Sequence, residues 1–168
     1  MSGKPIVVSE TDVDDITTRF TELGLKPSSG ICILPSNFLD ATSQDELFCR
    51  ADANDLKILF RQAKVTLDKI EPDGVKIPFR DDRDSSLYLP ALLLGSAFLA
   101  NNPHLLNIAL AVVANYVTDY FRGKAGKNRV TCSVIVEKTD NKTTKQINYD
   151  GPPEEFGKLI DSINKAIK

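Results

Sequence analysis

From Leu87 to Phe121 the sequence carries one ionised side chain, Asp119. No other stretch restricts the fold as much, because so many apolar residues must leave water either in a membrane or in a protein core. Asn101-Asn102-Pro103-His104 interrupts it. About 14 apolar-rich residues precede the break, fewer than the roughly 20 a helix needs to cross a bilayer. The second part, Pro103 to Phe121, is long enough but contains Asn107, Asn115 and several small residues. The pattern predicts two buried helices, over 86–101 and 103–121, with peripheral membrane contact as the lesser reading. Asn102 caps the second helix, and Pro103 fits its first position, where a missing N–H costs nothing. Leu106, Ala109, Val113, Tyr116, Val117 and Tyr120 form its apolar stripe.

Beyond that helix lies the other strong pattern. Val130, Cys132, Val134 and Val136 alternate with Arg129, Thr131, Ser133, Ile135 and Glu137, as a strand with one covered face does. Lys138 to Lys142 turns, Thr143 to Tyr149 returns, and Asp150-Gly151-Pro152-Pro153 leads into a helix with Glu154 and Glu155 in its first turn. Phe156, Leu159, Ile160, Ile163 and Ile167 give that helix a buried face. Nearer the start, Ile6-Val7-Val8 suits a buried strand. Ser9 or Thr11 then offers an N-cap, and Asp12, Asp14 and Asp15 suit the positive end of a helix that continues through Val13, Ile16, Phe20 and Leu23 to Gly24. Ile31–Leu34 reads as a strand, Ser43 with Glu46 as a capping box, and 54–64 as a helix. Val65, Leu67 and Ile70 alternate with polar residues, as do Val75, Ile77 and Phe79, and Glu71-Pro72-Asp73-Gly74 supplies a turn; a hairpin is expected.

These elements predict an α/β (α+β) fold in one domain, residues 1–168. A mixed or antiparallel sheet of about five to six strands packs with about five helices, ending in a β-hairpin followed by a helix. A chain of 168 residues can bury a core without metal or disulfide support. Three cysteines, Cys32, Cys49 and Cys132, without CxxC spacing or an N-terminal signal pattern, imply free thiols and a cytoplasmic setting.

Net charge is −2, with a pI of about 5.5, so no global basic field draws in nucleic acid. The distribution is uneven: residues 1–60 hold five Lys/Arg against ten Asp/Glu, and 122–145 hold seven against two. In "DYFRGKAGKNRV" (119–130), Arg122, Lys124, Lys127 and Arg129 surround two glycines. A P-loop is excluded there, because Phe121 stands where its first glycine belongs, Asn128 where its hydroxyl belongs, and the order is helix to strand. Gly123 reads as a helix stop and the cations as complements to the helix C-terminus, leaving a candidate contact surface for a partner or an anion. Tyr120 and Phe121 could stack nucleobases, but their place on an apolar stripe explains them as core.

His104 is the sole histidine. A Cys–His pair would have to use it, yet Cys32 and Cys132 lie in apolar strands, and Cys49 has no diagnostic flanks. Asp81, Asp82 and Asp84 could hold a cation, but Arg83 and Arg80 neutralise much of their field and the calcium-loop glycine and glutamate are missing. Asp81, Asp82, Arg83 and Asp84 are therefore a candidate contact loop. Neither a metal nor a cofactor is expected, and there is no catalytic set.

"SSLYLP", "NNPHLL", "VANYVTDYFRG" and "VIVEKTDNKTTKQINYDGPPEEF", spread over the second half, resemble small bacterial proteins that accompany an effector or sensor in multi-component defence or conflict systems. The resemblance implies an accessory role and transfers no active-site residue. The expected function is a non-enzymatic protein-interaction module, an accessory or adaptor subunit whose partner is another protein (effector or sensor) or a second copy. The alternative is a small-molecule or nucleotide-responsive domain, or a weak enzyme, holding an anionic ligand on loop 122–129.

Overall fold

The computed structural model describes residues 7–13, 16–80, 86–101, 103–124, 126, 128–137 and 144–167. Five strand positions form one mixed sheet in the order β1 (Val7–Val13), β8 (Thr144–Gly151), β7 (Arg129–Glu137), β5/β6 (Ser86–Tyr88 and Ala91–Leu94) and β2 (Ile31–Leu34). The β7–β8 hairpin is antiparallel, as its alternation predicts, and β1 adds antiparallel to β8. β5 and β6 run parallel to β7, and β2 is antiparallel to β6. Parallel neighbours need a long crossover, and α3 (Ser96–Asn101) with α4 (Pro103–Phe121) provides it. Gly123, at φ 77°, stops α4 and turns the chain back into β7.

The stretch 86–101 is not one helix. Tyr88 pairs with Thr131 and Leu92 with Val134, so a one-residue bulge separates β5 from β6. Pro90, which has no N–H to give to the ladder, lies in that bulge. The helical reading fails because β6 is covered on both sides. Leu92 and Leu94 enter one core and Ala91 and Leu93 the other, which erases the alternation that would mark a strand. Glycine is required at position 95, because a Cβ on Gly95 would lie 2.2 Å from the Ser29 carbonyl oxygen.

On one face of the sheet, α2 (Ala53–Gln62), α4 and α5 (Gly157–Ile167) bury Leu56, Phe60, Val113, Val117, Leu159 and Ile163. Each such side chain contributes roughly 1.5–3 kcal/mol on leaving water. The 3-10 turn Pro153–Glu155 precedes α5, so Glu154 and Glu155 stand before that helix. On the other face, α1 (Ile16–Glu22) and the segment 36–48 cover β2, β6 and Ile135 of β7, with Phe20, Phe38 and Leu47 as the filling.

Three further expectations are corrected. β1 runs on through Asp12, so Ser9 and Thr11 are strand residues and α1 begins at Ile16; Asp14 and Asp15 lie outside the described residues. Pairing with β8 wins over the helix-start signal. Ser43 makes no side-chain cap, and Glu46 instead accepts the Thr42 N–H (2.8 Å) and hydroxyl (2.9 Å). The hairpin of 65–70 with 75–79 does not form, although Val75 N–H bonds the Pro72 carbonyl in the expected turn. Val65 is buried in one core and Ile70 in the other, so 65–70 wraps around the outer edge of β2. Asp68 N–H bonds the Ile31 carbonyl there at 2.9 Å, closing part of an exposed strand edge. Phe79 and Arg80 form a two-residue strand, β4, parallel to β3 (Cys49–Arg50).

Candidate functional site

The basic loop after α4 is held by its own neighbours. Arg122 ion-pairs with Asp119 at 2.8 Å, and Lys124 Nζ stands 3.7 Å from the centre of the Tyr120 ring. Arg129 Nε donates to Asp150 Oδ1 at 2.5 Å across the β7–β8 ladder, and Nη2 reaches the Asp150 carbonyl at 3.3 Å. Lys127 lies outside the described residues. Arg122 and Lys124 are exposed. Arg122, Lys124 and Arg129 line neither of two cavities, one of about 440 Å³ beside α2 and one of about 110 Å³ beside β3. Asp81, Asp82, Arg83 and Asp84 also lie outside the described residues.

The thiols are turned inward. Burial pushes Cys32 and Cys132 up to about 12 and Cys49 to about 11, away from the thiolate a nucleophile requires. His104 is exposed in the first turn of α4. Among the described residues no three His, Cys, Asp or Glu side chains are grouped to hold a metal, and no helix is long and apolar enough to cross a membrane.

A different constellation forms where the covered and uncovered parts of one sheet face meet. Asn37 shapes it: its Nδ2 donates to the Glu46 carbonyl (2.8 Å), and its Oδ1 accepts the Phe48 N–H (3.1 Å). Ser36 N–H bonds the Phe48 carbonyl at 2.8 Å, and Cys49 and Ala51 N–H groups bond the Pro78 and Arg80 carbonyls. This fixes β3 beside β4 and stacks cations on rings. The Arg80 guanidinium lies 4.0 Å from the Phe48 ring centre, and Arg50 lies 5.4 Å from Phe48 and 4.7 Å from Tyr88. Each contact of this kind is worth about 0.5–1 kcal/mol at an exposed site.

Beside this ridge is the cavity of about 110 Å³, lined by Ser36, Arg50, Tyr88, Thr131 and Ser133 among others. The Ser36 Oγ is buried without a hydrogen-bond partner among the described residues, which costs free energy unless something fills its bonding capacity. From there the open face continues through Thr131 and Ser133 on β7, Gln146 and Asn148 on β8, and Ser9 and Thr11 on β1; the ladder registers place all of these on one side. Gln146 Nε2 donates to Ser133 Oγ at 2.9 Å.

No protein-family model, curated protein or solved structure matches the chain.

The ridge is not legible in the sequence. Phe48 and Arg50 have the spacing of two residues on one side of a strand, but Arg80 and Tyr88 are far along the chain from both. The β3–β4 pairing sets Arg50 beside Arg80, and the stacking of Arg50 on the Tyr88 ring joins β5 to them.

Proposed function

We propose that this protein is a non-enzymatic interaction module, an accessory or adaptor subunit of a bacterial multi-component system, and that it meets its partner protein with the uncovered sheet face and the ridge beside it. The observation that carries this reading is the alternation Arg80–Phe48–Arg50–Tyr88. Arginine and aromatic side chains are the types enriched at the energetic centres of protein interfaces. A rim of hydroxyl and amide groups borders them.

The test is affinity capture from a lysate of the native host with wild type, Arg50→Glu/Arg80→Glu, and a control, Lys158→Glu/Lys165→Glu, on the exposed side of α5. The reading expects one protein enriched at defined stoichiometry by wild type and control and lost with the ridge variant, whose melting curve remains cooperative. A protein retained equally by all three, or nucleic acid recovered in its place, contradicts it.

A further inference from the structure

The larger of the two cavities shares no lining residue with the ridge and lies between α2 and the 65–71 segment that wraps the edge of β2. Its volume is about 440 Å³, within the range of pockets that hold small molecules. The floor is aliphatic: Ile33, Val65 and Ile70 are buried, and Leu67 is half-buried.

Four cations stand around that floor: Lys57, Arg61 and Lys64 from α2 and its end, and Lys69 from the wrapping segment. Lys57 and Arg61, four residues apart, share one side of α2, where like charges repel, and Lys64 follows the helix end at φ 64°. The two acidic groups at the start of α2 cannot relieve this, because both face α4. Tyr116 donates its hydroxyl proton to Asp52, and Asp55 Oδ2 lies 3.5 Å from the same oxygen. Asp68 and Glu71 also line the cavity. Asp68 is directed elsewhere, accepting the Ser28 hydroxyl at 2.7 Å and filling the space that Gly30 leaves. None of the four cations makes an ion pair among the described residues. The negative end of α2 accounts for Arg61 and Lys64; it does not account for Lys57, in mid-helix, or for Lys69.

We infer that this cavity is a binding site for a small anionic amphiphile: a carboxylate or phosphate held by Lys57, Arg61 and Lys69, with an aliphatic body on Ile33, Val65 and Leu67. No aromatic ring lines the cavity among the described residues, so a nucleobase has no stacking partner there. The cations and the aliphatic floor together select a molecule that carries both features.

The experiment is thermal denaturation of the full chain with octanoate, octyl phosphate, octanamide and inorganic phosphate. Octanoate or octyl phosphate at a hundredfold excess over Kd should raise Tm by roughly 5–10 °C. Octanamide and inorganic phosphate should shift it by no more than about 1 °C under the same conditions. Lys57→Glu/Lys69→Glu should weaken binding about tenfold or more, since it reverses the charge that meets the head group. Lys158→Glu/Lys165→Glu should leave binding unchanged.

Methyl NMR of the wild type keeps the inference testable if the first variant does not fold. Resonances of Ile33, Val65 and Leu67 should move on titration with octanoate or octyl phosphate. Four results overturn the inference: no shift with either alkyl anion, an equal shift with octanamide, a shift retained in Lys57→Glu/Lys69→Glu, or methyl changes confined to other sites. Binding of hexaglutamate in place of the alkyl anions also overturns it, in favour of an acidic peptide.

Discussion

The two ends of the sheet are built on the same ladder but have opposite surroundings. At β2 and β6 both faces are covered, and every residue of Ile31–Leu34 and Ala91–Leu94 is buried. At β7, β8 and β1 the helical side is covered, and beyond Ile135, which enters the second core, the other side presents Thr131, Ser133, Gln146 and Asn148 half-exposed. The difference comes from how far α1 and the 36–48 segment reach. It also shows where binding chemistry can accumulate. The covered end has its polar surface at the outer edge, where the α2 cations collect; the open end has polar groups throughout, with the Arg–aromatic ridge at its border.

The most severe way to break this comparison is to truncate one residue on each side. Leu93→Ala, at a position with no solvent exposure between the two layers, should cost about 2–5 kcal/mol by urea unfolding. Ser133→Ala on the open face should change stability by no more than about 0.5 kcal/mol. Similar costs for the two would mean the faces are not differently covered.

A smaller effect reads burial on the helical side by pH. The ordinary thiol value is 9.0, and burial raises Cys132, on the helical side of β7, to about 12. Well below 9.0 the thiol is protonated folded and unfolded, so its contribution is complete. Between 9.0 and about 12 only the unfolded chain releases the proton, and stability falls as pH rises. Cys132→Ala should flatten that decline by up to about 1.4 kcal/mol per pH unit in urea titrations above the ordinary thiol value. An unchanged slope would place the thiol in contact with water.

The smallest effect concerns the covering segment. The Thr42 N–H, then its hydroxyl, lower the pKa of Glu46 from its ordinary 4.5. The resulting stabilisation is present above 4.5 and lost as pH falls through the lowered value. Glu46→Gln should therefore lower the urea midpoint slightly at about pH 7 and by less at about pH 3, below the ordinary carboxyl value. An equal decrease at both would assign the effect to packing.

Where a segment has one covered face, the sequence shows it. The alternation of 130–136, the 3.6-residue stripe of α4 and that of α5 all recur in the structure. Where a segment is covered twice or passes between layers, the signal vanishes or misleads. The run "ALLLG" (91–95) reads as helix because both faces of β6 are apolar. Val65 and Ile70 read as one strand face although they enter different cores. Of the sites, the loop cations Arg122, Lys124 and Arg129 are visible in the sequence as a charge cluster, but their partners Asp119, Tyr120 and Asp150 are not. The ridge and the α2 cavity depend on contacts between distant segments, for which the chain has no local pattern.

The most direct measurement of the proposed role is a hydrogen-exchange footprint of the chain alone and in the captured complex. The uncovered-face reading predicts protection in peptides spanning 48–50, 86–89, 129–133 and 146–149, with α4 and α5 unchanged. Protection confined to α4 or α5, with the ridge and the open strands exchanging as in the free protein, would contradict it.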